Sequence, residues 1–114
     1  MRAIHIDATL RTVTEIDVPA HTEPANAQLL ALQKAVGGLI ELVARLPNGD
    51  CVFVDEEGKL KKPRHFFWLA GAREPFAGNA IVVGDADRNG DITPAKSTVD
   101  EMYAALQWPV GYVV

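Results

Sequence analysis

The chain opens with two short segments in which apolar and polar residues alternate. In RAIHIDA, Ile4 and Ile6 fall on one face and His5 on the other, and LRTVTEIDV alternates in the same way. Alternation with a period of two is typical of strands that bury one face. The link at residues 7–9 is short, so we predict a β-hairpin that stops before Pro19, because proline has no backbone N–H for the sheet.

The next segment carries apolar residues at helical spacing between a start signal and a stop signal. Leu29, Leu32 and Val36 recur along one face of a helix. We predict that the helix begins at residues 22–24, because the proline there suits the first turn. The glycine pair at residues 37–38 adopts the left-handed conformation easily and therefore marks the end of the helix.

A second hairpin is predicted around Asn48-Gly49, which lies between two apolar runs at residues 39–44 and 51–54. This dipeptide is a strong hairpin signal because both central residues of a tight two-residue turn need positive φ. Cys51 lies inside the second run and is expected to be a small core residue.

The second half of the chain mixes strand and helix signals. After a turn at residues 57–58, Pro63 is predicted to begin one or two helical turns that run to Leu69. Residues 79–84, NAIVVG, form a short β-branched run that ends in glycine. Such a run predicts a fully buried strand.

A last helix is predicted near the C-terminus, with Ser97 and Asp100 forming its capping box. Its apolar face is expected to contain Val99, Met102, Tyr103 and Leu106. We predict that Pro109 ends this helix. Residues 111–114 would then be an extended tail that adds a strand to its own sheet or to the edge of a neighbouring one.

Hairpins joined by a packing helix predict an α+β fold with a small, mainly antiparallel sheet. We expect about five strands, in two hairpins, packed by two helices and a short helical segment. A chain of 114 residues is long enough to bury a single core. Residues 1–114 are therefore expected to form one domain.

Composition narrows the class of protein. The net charge of −4 disfavours the basic surface that binding to duplex DNA needs. The lone Cys51 excludes an intramolecular disulfide, and no apolar run is long enough to span a membrane, so the cytoplasm is expected. The chain has no motif for a cofactor, an activated nucleophile or a phosphate-binding loop, so we expect no cofactor and no enzymatic activity.

The stretch DADRNGDI matches the first part of a calcium-binding loop. The early ligand positions are filled by Asp85, Asp87, Asn89 and Asp91. Lys96, however, occupies the position of the chelating carboxylate, and a strand rather than a helix enters the loop. Two interpretations stay open: weak calcium binding at residues 85–93, or a turn whose Asp and Asn side chains bond nearby backbone amides.

Residues 59–68 combine cations with aromatic rings. The side chains that would contact a partner are Lys59, Lys61, Lys62, Arg64, Phe67 and Trp68. Cations can hold the phosphates of a single-stranded nucleic acid while rings stack on its bases. Alternatively, the rings belong to the core and the cations solvate the outer face, or exposed rings dock a protein.

The stretch AVGGLIELVARLPNGDCVFVDEEGKLKK shows a pattern of structural motifs: a helix ending in Gly-Gly, a strand, a hairpin turn, a second strand and an acidic-Gly-Lys-Leu segment. Together with NAIVVGDADRNGDIT, it resembles the phage- and plasmid-borne family called domain of unknown function 3846 over residues 13–93. The resemblance implies a small accessory protein of phage or mobile-element origin and transfers no functional residue. Pro63-Arg64 stands where family members often have an Asn-Arg pair.

These observations predict a small non-enzymatic interaction protein with a protein partner, bound through residues 59–68 and the acidic loop at residues 85–93. The alternatives are single-stranded nucleic-acid binding through the first segment and calcium binding at the second. We expect no membrane association, and the sequence leaves the oligomeric state open.

Overall fold

The computed structural model describes residues 1–21 and 26–110. This part of the chain contains nine strands, two α-helices and one short 3-10 helix. The strands are β1 (Arg2–Asp7), β2 (Thr12–Asp17), β3 (Ile40–Arg45), β4 (Cys51–Asp55), β5 (Phe66–Leu69), β6 (Phe76–Ala77), β7 (Asn79–Ala86), β8 (Ile92–Thr93) and β9 (Leu106–Gln107). The helices are α1 (Ala27–Val36) and α2 (Val99–Ala105), and the 3-10 helix is Gly58–Lys61. The predicted α+β class is confirmed.

The larger of two sheets is antiparallel and has β7 at its centre. Its strands lie in the order β2-β1-β7-β4-β3, and β8 pairs with the far end of β7. Residues 80–83 of β7 have no exposed surface. The sheet is covered on both faces, which is why this strand has a continuous apolar run instead of an alternating one. The buried strand predicted at residues 79–84 is confirmed.

The two faces of the larger sheet carry different layers. Helix α1 covers one face, where Leu32 belongs to the same buried cluster as Ile81. The other face is covered by α2 and by a smaller sheet with the order β6-β5-β9. In that layer Phe67 and Met102 cluster with Val82. The expectation of a single sheet of about five strands was wrong in this detail, because β5 and β6 form a second sheet with the distant two-residue strand β9.

Both predicted hairpins are present, β1–β2 and β3–β4. The turn of the second hairpin differs from the prediction, because only Gly49 has positive φ, at 93°. The Gly49 N–H donates to the carbonyl oxygen of Leu46 at 2.9 Å, which closes a turn centred on Pro47 and Asn48. The φ angle that proline imposes suits this wider turn, and glycine then takes the left-handed position after it.

Helix α1 ends as predicted, at Gly37 with φ of 88°. The predicted start at residues 22–24 lies outside the described residues. Leu32 and Val36 are buried, whereas Leu29 remains 44% exposed, so the apolar face of the helix is narrower than predicted. A helix that packs on a flat sheet buries one stripe, and Leu29 lies beside that stripe.

The helix predicted from Pro63 to Leu69 is wrong, because Phe66–Leu69 forms β5 between β6 and β9. Phe66, Phe67 and Leu69 are each at most 3% exposed. One or two helical turns would bury a single face and leave part of this run in water, whereas a strand covered on both sides buries consecutive residues. Residues 66–69 therefore form a strand because this conformation buries more of the apolar run than a helix would.

The last helix is present, but its bounds differ from the prediction. The capping box is formed by Thr98 and Glu101, one residue later than the predicted pair of Ser97 and Asp100. The helix ends before Pro109, because Leu106–Gln107 leaves it to pair with β5 as β9. The tail at residues 111–114 lies outside the described residues. No helix in the described ranges is long and apolar enough to cross a membrane.

Candidate functional site

The acidic loop between β7 and β8 is held as a turn by its own side chains. Asp87 Oδ1 accepts hydrogen bonds from the backbone N–H groups of Asn89 at 2.8 Å and Asp91 at 3.0 Å. Gly90 has φ of 85° at the tip of the loop. Asp85 instead pairs with Arg45 at 2.6 Å. The loop therefore has the bonding pattern of a turn built on an aspartate side chain.

The candidate calcium ligands are close together in sequence, but their side chains make separate contacts. The Asp91 carboxylate lies 3.4 Å from the imidazole of His21. Across residues 1–21 and 26–110, no three His, Cys, Asp or Glu side chains are grouped so that they could hold a metal ion. Calcium affinity in such loops depends on the number of converging oxygens. This geometry offers few, and calcium binding stays a prediction.

Asp85 belongs to a small charged cluster with Arg45 and Cys51. The Arg45 guanidinium donates to Asp85 Oδ1 at 2.6 Å, and this bond holds the pKa of the Asp85 carboxyl below its usual value. Burial raises the pKa of the Cys51 thiol, whose sulfur lies 3.8 Å from Asp85 Oδ1. Cys51 is 4% exposed, which confirms its predicted core position. A thiol with a raised pKa is a poor nucleophile at neutral pH.

Replacing Arg45 with Gln is expected to raise the pKa of Asp85 toward that of an ordinary carboxyl, because the guanidinium favours the charged carboxylate. Carboxyl-carbon NMR titration of both proteins measures the change. The pair stabilises the folded state at pH values above the ordinary carboxyl pKa. This stabilisation is lost as the pH falls through the pKa of Asp85 in the folded protein. Arg64→Gln removes the same charge elsewhere and should leave the pKa of Asp85 unchanged. An Asp85 pKa that is the same in the Arg45 variant as in the wild type would contradict the role assigned to Arg45.

The cations of residues 59–68 divide into two pairs. Lys59 Nζ lies 2.8 Å from Glu74, and Lys61 Nζ lies 2.5 Å from Asp55. Lys61 also donates to the carbonyl oxygen of Gly37 at the end of α1, at 3.2 Å. These two lysines are therefore engaged in intramolecular contacts.

The other two cations, Lys62 and Arg64, are exposed and form no ion pair among the described residues. Phe67 has no exposed surface, so it offers no ring face to a base. Trp68 is half-buried and donates its Nε1–H to the carbonyl oxygen of Ala72 at 3.0 Å. Residues 59–68 therefore do not form one binding surface: Phe67 belongs to the core, whereas Lys62 and Arg64 are exposed to solvent.

One edge of the larger sheet is open. β3 ends the strand order, and within the described ranges no strand pairs with its outer side. On the opposite edge, the Val13 N–H of β2 is occupied, because it donates to the hydroxyl oxygen of Tyr103 in α2 at 3.0 Å. An open edge presents a row of backbone donors and acceptors to any extended chain that can reach it.

A groove runs beside this edge, between β3 and the segment at residues 69–77 that leads from β5 into β6. Two adjoining cavities of about 300 and 390 Å³ form it, and Val43 and Phe76 line both of them. Each of these side chains is half-buried, so the middle of the groove is apolar and partly open to water. We call this feature the β3 groove.

One end of the β3 groove is acidic. Its carboxylates are Glu41, Asp55, Glu56 and Glu74. Two of them are matched by Lys61 and Lys59, whereas Glu41 and Glu56 form no ion pair among the residues described. Uncompensated carboxylates at the mouth of a partly apolar groove attract a cation.

The β3 groove is not apparent from the sequence, because its two walls lie far apart in the chain. A local signal was present: Glu41 stands within the apolar run ahead of the hairpin turn. A charge inside a strand is a common feature of an exposed edge. The position of the second wall, at residues 69–77, depends on β5 being a strand, which was not predicted.

The comparisons with known proteins identify a family and no function. No curated protein and no solved structure matches the chain. One family profile, described as domain of unknown function (DUF3846), matches residues 1–106. This match covers the resemblance found at residues 13–93 and extends it to β1, α2 and the start of β9. The chain therefore belongs to the DUF3846 family.

Proposed function

We propose that this protein is a small, non-enzymatic accessory protein of phage or mobile-element type that acts in the cytoplasm by binding another protein. The observation that carries the proposal is the β3 groove, where an open strand edge adjoins an apolar floor. Membership of the DUF3846 family supports the proposal, and the phage or mobile-element setting is what the resemblance to that family implies. The free, buried Cys51 is in keeping with a reducing compartment.

Strand addition is the binding mode that suits this geometry. An extended segment alongside β3 would satisfy the outward-facing backbone groups of the strand and place alternate side chains in the groove. Backbone hydrogen bonds give such complexes affinity, and the groove side chains give them selectivity. The contacts would bury Val43, which is half-buried and lines both cavities of the groove.

Covalent crosslinking in the native host tests the proposal with matched variants. Val43→Asp places a charge in the middle of the β3 groove, whereas Leu60→Asp places the same charge at an 81% exposed site outside it. Circular dichroism checks that both variants are folded. We expect a polypeptide that crosslinks to the wild type and to the Leu60 variant, and is reduced about tenfold with the Val43 variant, as loss of one buried apolar side chain allows. Equal crosslinking by both variants, or turnover of a small substrate that one substitution abolishes, would overturn the proposal.

The two alternative functions have separate tests. Fluorescence polarisation with a labelled single-stranded oligonucleotide at low salt tests residues 59–68, and binding tighter than about 100 μM would support nucleic-acid recognition. The burial of Phe67 and the pairing of Lys59 and Lys61 favour the protein partner. Calorimetry with millimolar calcium tests residues 85–93, and a flat titration would remove that hypothesis.

A further inference from the structure

We propose that the occupant of the β3 groove is an extended segment of a partner protein in which an apolar residue and a lysine or arginine stand two positions apart. This inference rests on the proposed function and adds the chemistry of the partner. It follows from the order of side chains along β3 and from the charge of the groove.

The spacing comes from strand geometry. Residues two apart in a strand point to the same side and lie about 7 Å apart. Glu41 and Val43 have this relation, and both line the β3 groove. A segment added to β3 would therefore set one side chain against Val43 and Phe76, and the second residue along it against Glu41. The first position favours an apolar side chain and the second a cation.

The charges at the acidic end favour a cation over an anion. Lys59 and Lys61 already pair with Glu74 and Asp55. Glu41 and Glu56 remain, both exposed and without an ion pair in the described part of the chain. A long basic side chain can lay its methylenes along apolar surface while its charged end meets these carboxylates. An acidic segment would be repelled at the same place.

Other occupants fit the groove less well. A second copy paired through β3 would bring its own Glu41 and Glu56 to the same interface, which places like charges together. β3 also carries a bulge between Leu42 and Ala44, and a bulge twists an edge away from a rigid partner strand. A single flexible segment can follow that twist. A nucleic-acid backbone would face the same carboxylates as an acidic peptide.

Selection from a library of random displayed peptides of about ten residues, long enough to span the groove, tests the inference on the full chain. Val43→Asp and Leu60→Asp, both checked for folding by circular dichroism, are screened in parallel. We expect peptides that bind the wild type and the Leu60 variant but not the Val43 variant, and that are enriched in an apolar residue and a Lys or Arg two positions apart. Selected peptides that need Val43 but lack basic residues would overturn this inference and leave the proposed function intact. A pool indifferent to Val43 would overturn both.

Affinity measurements on one selected peptide isolate the charge. The double variant Glu41→Gln, Glu56→Gln should weaken binding about tenfold at low salt, and less at high salt, because exposed charge pairs are screened. The double variant Asp17→Asn, Asp100→Asn is the control matched in charge, since both are exposed acids that do not line the β3 groove. Equal weakening by the control would show a general charge effect and overturn the inference.

Amide hydrogen exchange of the full chain identifies the occupant of the edge. The β3 amides that do not bond β4 should exchange quickly in the free protein and slowly with the peptide bound. Slow exchange in the free monomer would mean that another segment of the same chain fills the edge. Protection that rises with protein concentration, together with a dimer in light scattering, would mean a second copy. Either result would overturn the inference.

Discussion

Replacing Gly84 with alanine is expected to destabilise the folded state by about 3 kcal/mol, at the upper end of the usual cost of overpacking a core. Gly84 lies in the central strand β7, opposite Thr93 of the antiparallel strand β8. An added methyl group would collide with Thr93 Oγ1 and with the carbonyl oxygen of Pro94, and would lie 2.9 Å from the carbonyl oxygen of Thr93. Two of these three atoms are backbone, so they cannot move aside as a side chain does.

Urea unfolding followed by circular dichroism measures this loss. Gly58→Ala is the matched control, because its methyl group would meet Ala77 at an ordinary distance of 3.4 Å. Neither glycine has positive φ, so conformational strain does not separate the two variants. We expect the control to change stability by less than about 0.5 kcal/mol, the usual range for an unstrained substitution. A Gly84 variant as stable as the control would contradict the packing described for β7 and β8.

Removal of the Asp50 carboxylate is expected to cost about 4 kcal/mol, because it leaves several buried donors without an acceptor. Asp50 has no exposed surface. Its oxygens accept hydrogen bonds from the backbone N–H of Lys96 at 3.0 Å and from the N–H and hydroxyl of Ser97, both at 2.7 Å. The carboxylate thereby ties the end of the β3–β4 hairpin to the segment that begins α2.

Asp50→Ala is compared with Asp87→Ala by thermal and urea unfolding. Asp87 also accepts two backbone N–H groups, but it is exposed, so water replaces the lost acceptor. The control should cost about 1 kcal/mol, as the loss of a solvated turn or cap acceptor usually does. Similar losses for the two variants would show that burial of Asp50 does not amplify the effect.

The elements predicted correctly are those whose signals are local. The alternation in β1 and β2, the continuous apolar run of β7 and the left-handed Gly37 each report on a few neighbouring residues. The capping box was placed one residue early because Ser97 has the right chemistry for a cap. Its hydroxyl is instead used by Asp50, a residue 47 positions away. Local patterns contain no information on such a contact.

The candidate site was harder to predict for the same reason. Residues 59–68 have the composition of a binding segment, yet Phe67 is needed in the core and Lys59 and Lys61 are held by Glu74 and Asp55. Composition cannot show which cations already have an intramolecular partner. The β3 groove joins two walls that are distant in the chain, so only the folded arrangement reveals it.

The walls of the β3 groove belong to different sheets, and this has a consequence for the lifetime of the protein in the cell. A strand seated between them would hold the two layers together and bind the native chain in preference to the unfolded one. At a partner concentration of a hundredfold the Kd, such binding adds about 2.7 kcal/mol of stability. Proteases act on opened molecules, so the abundance of this protein would rise and fall with that of its partner.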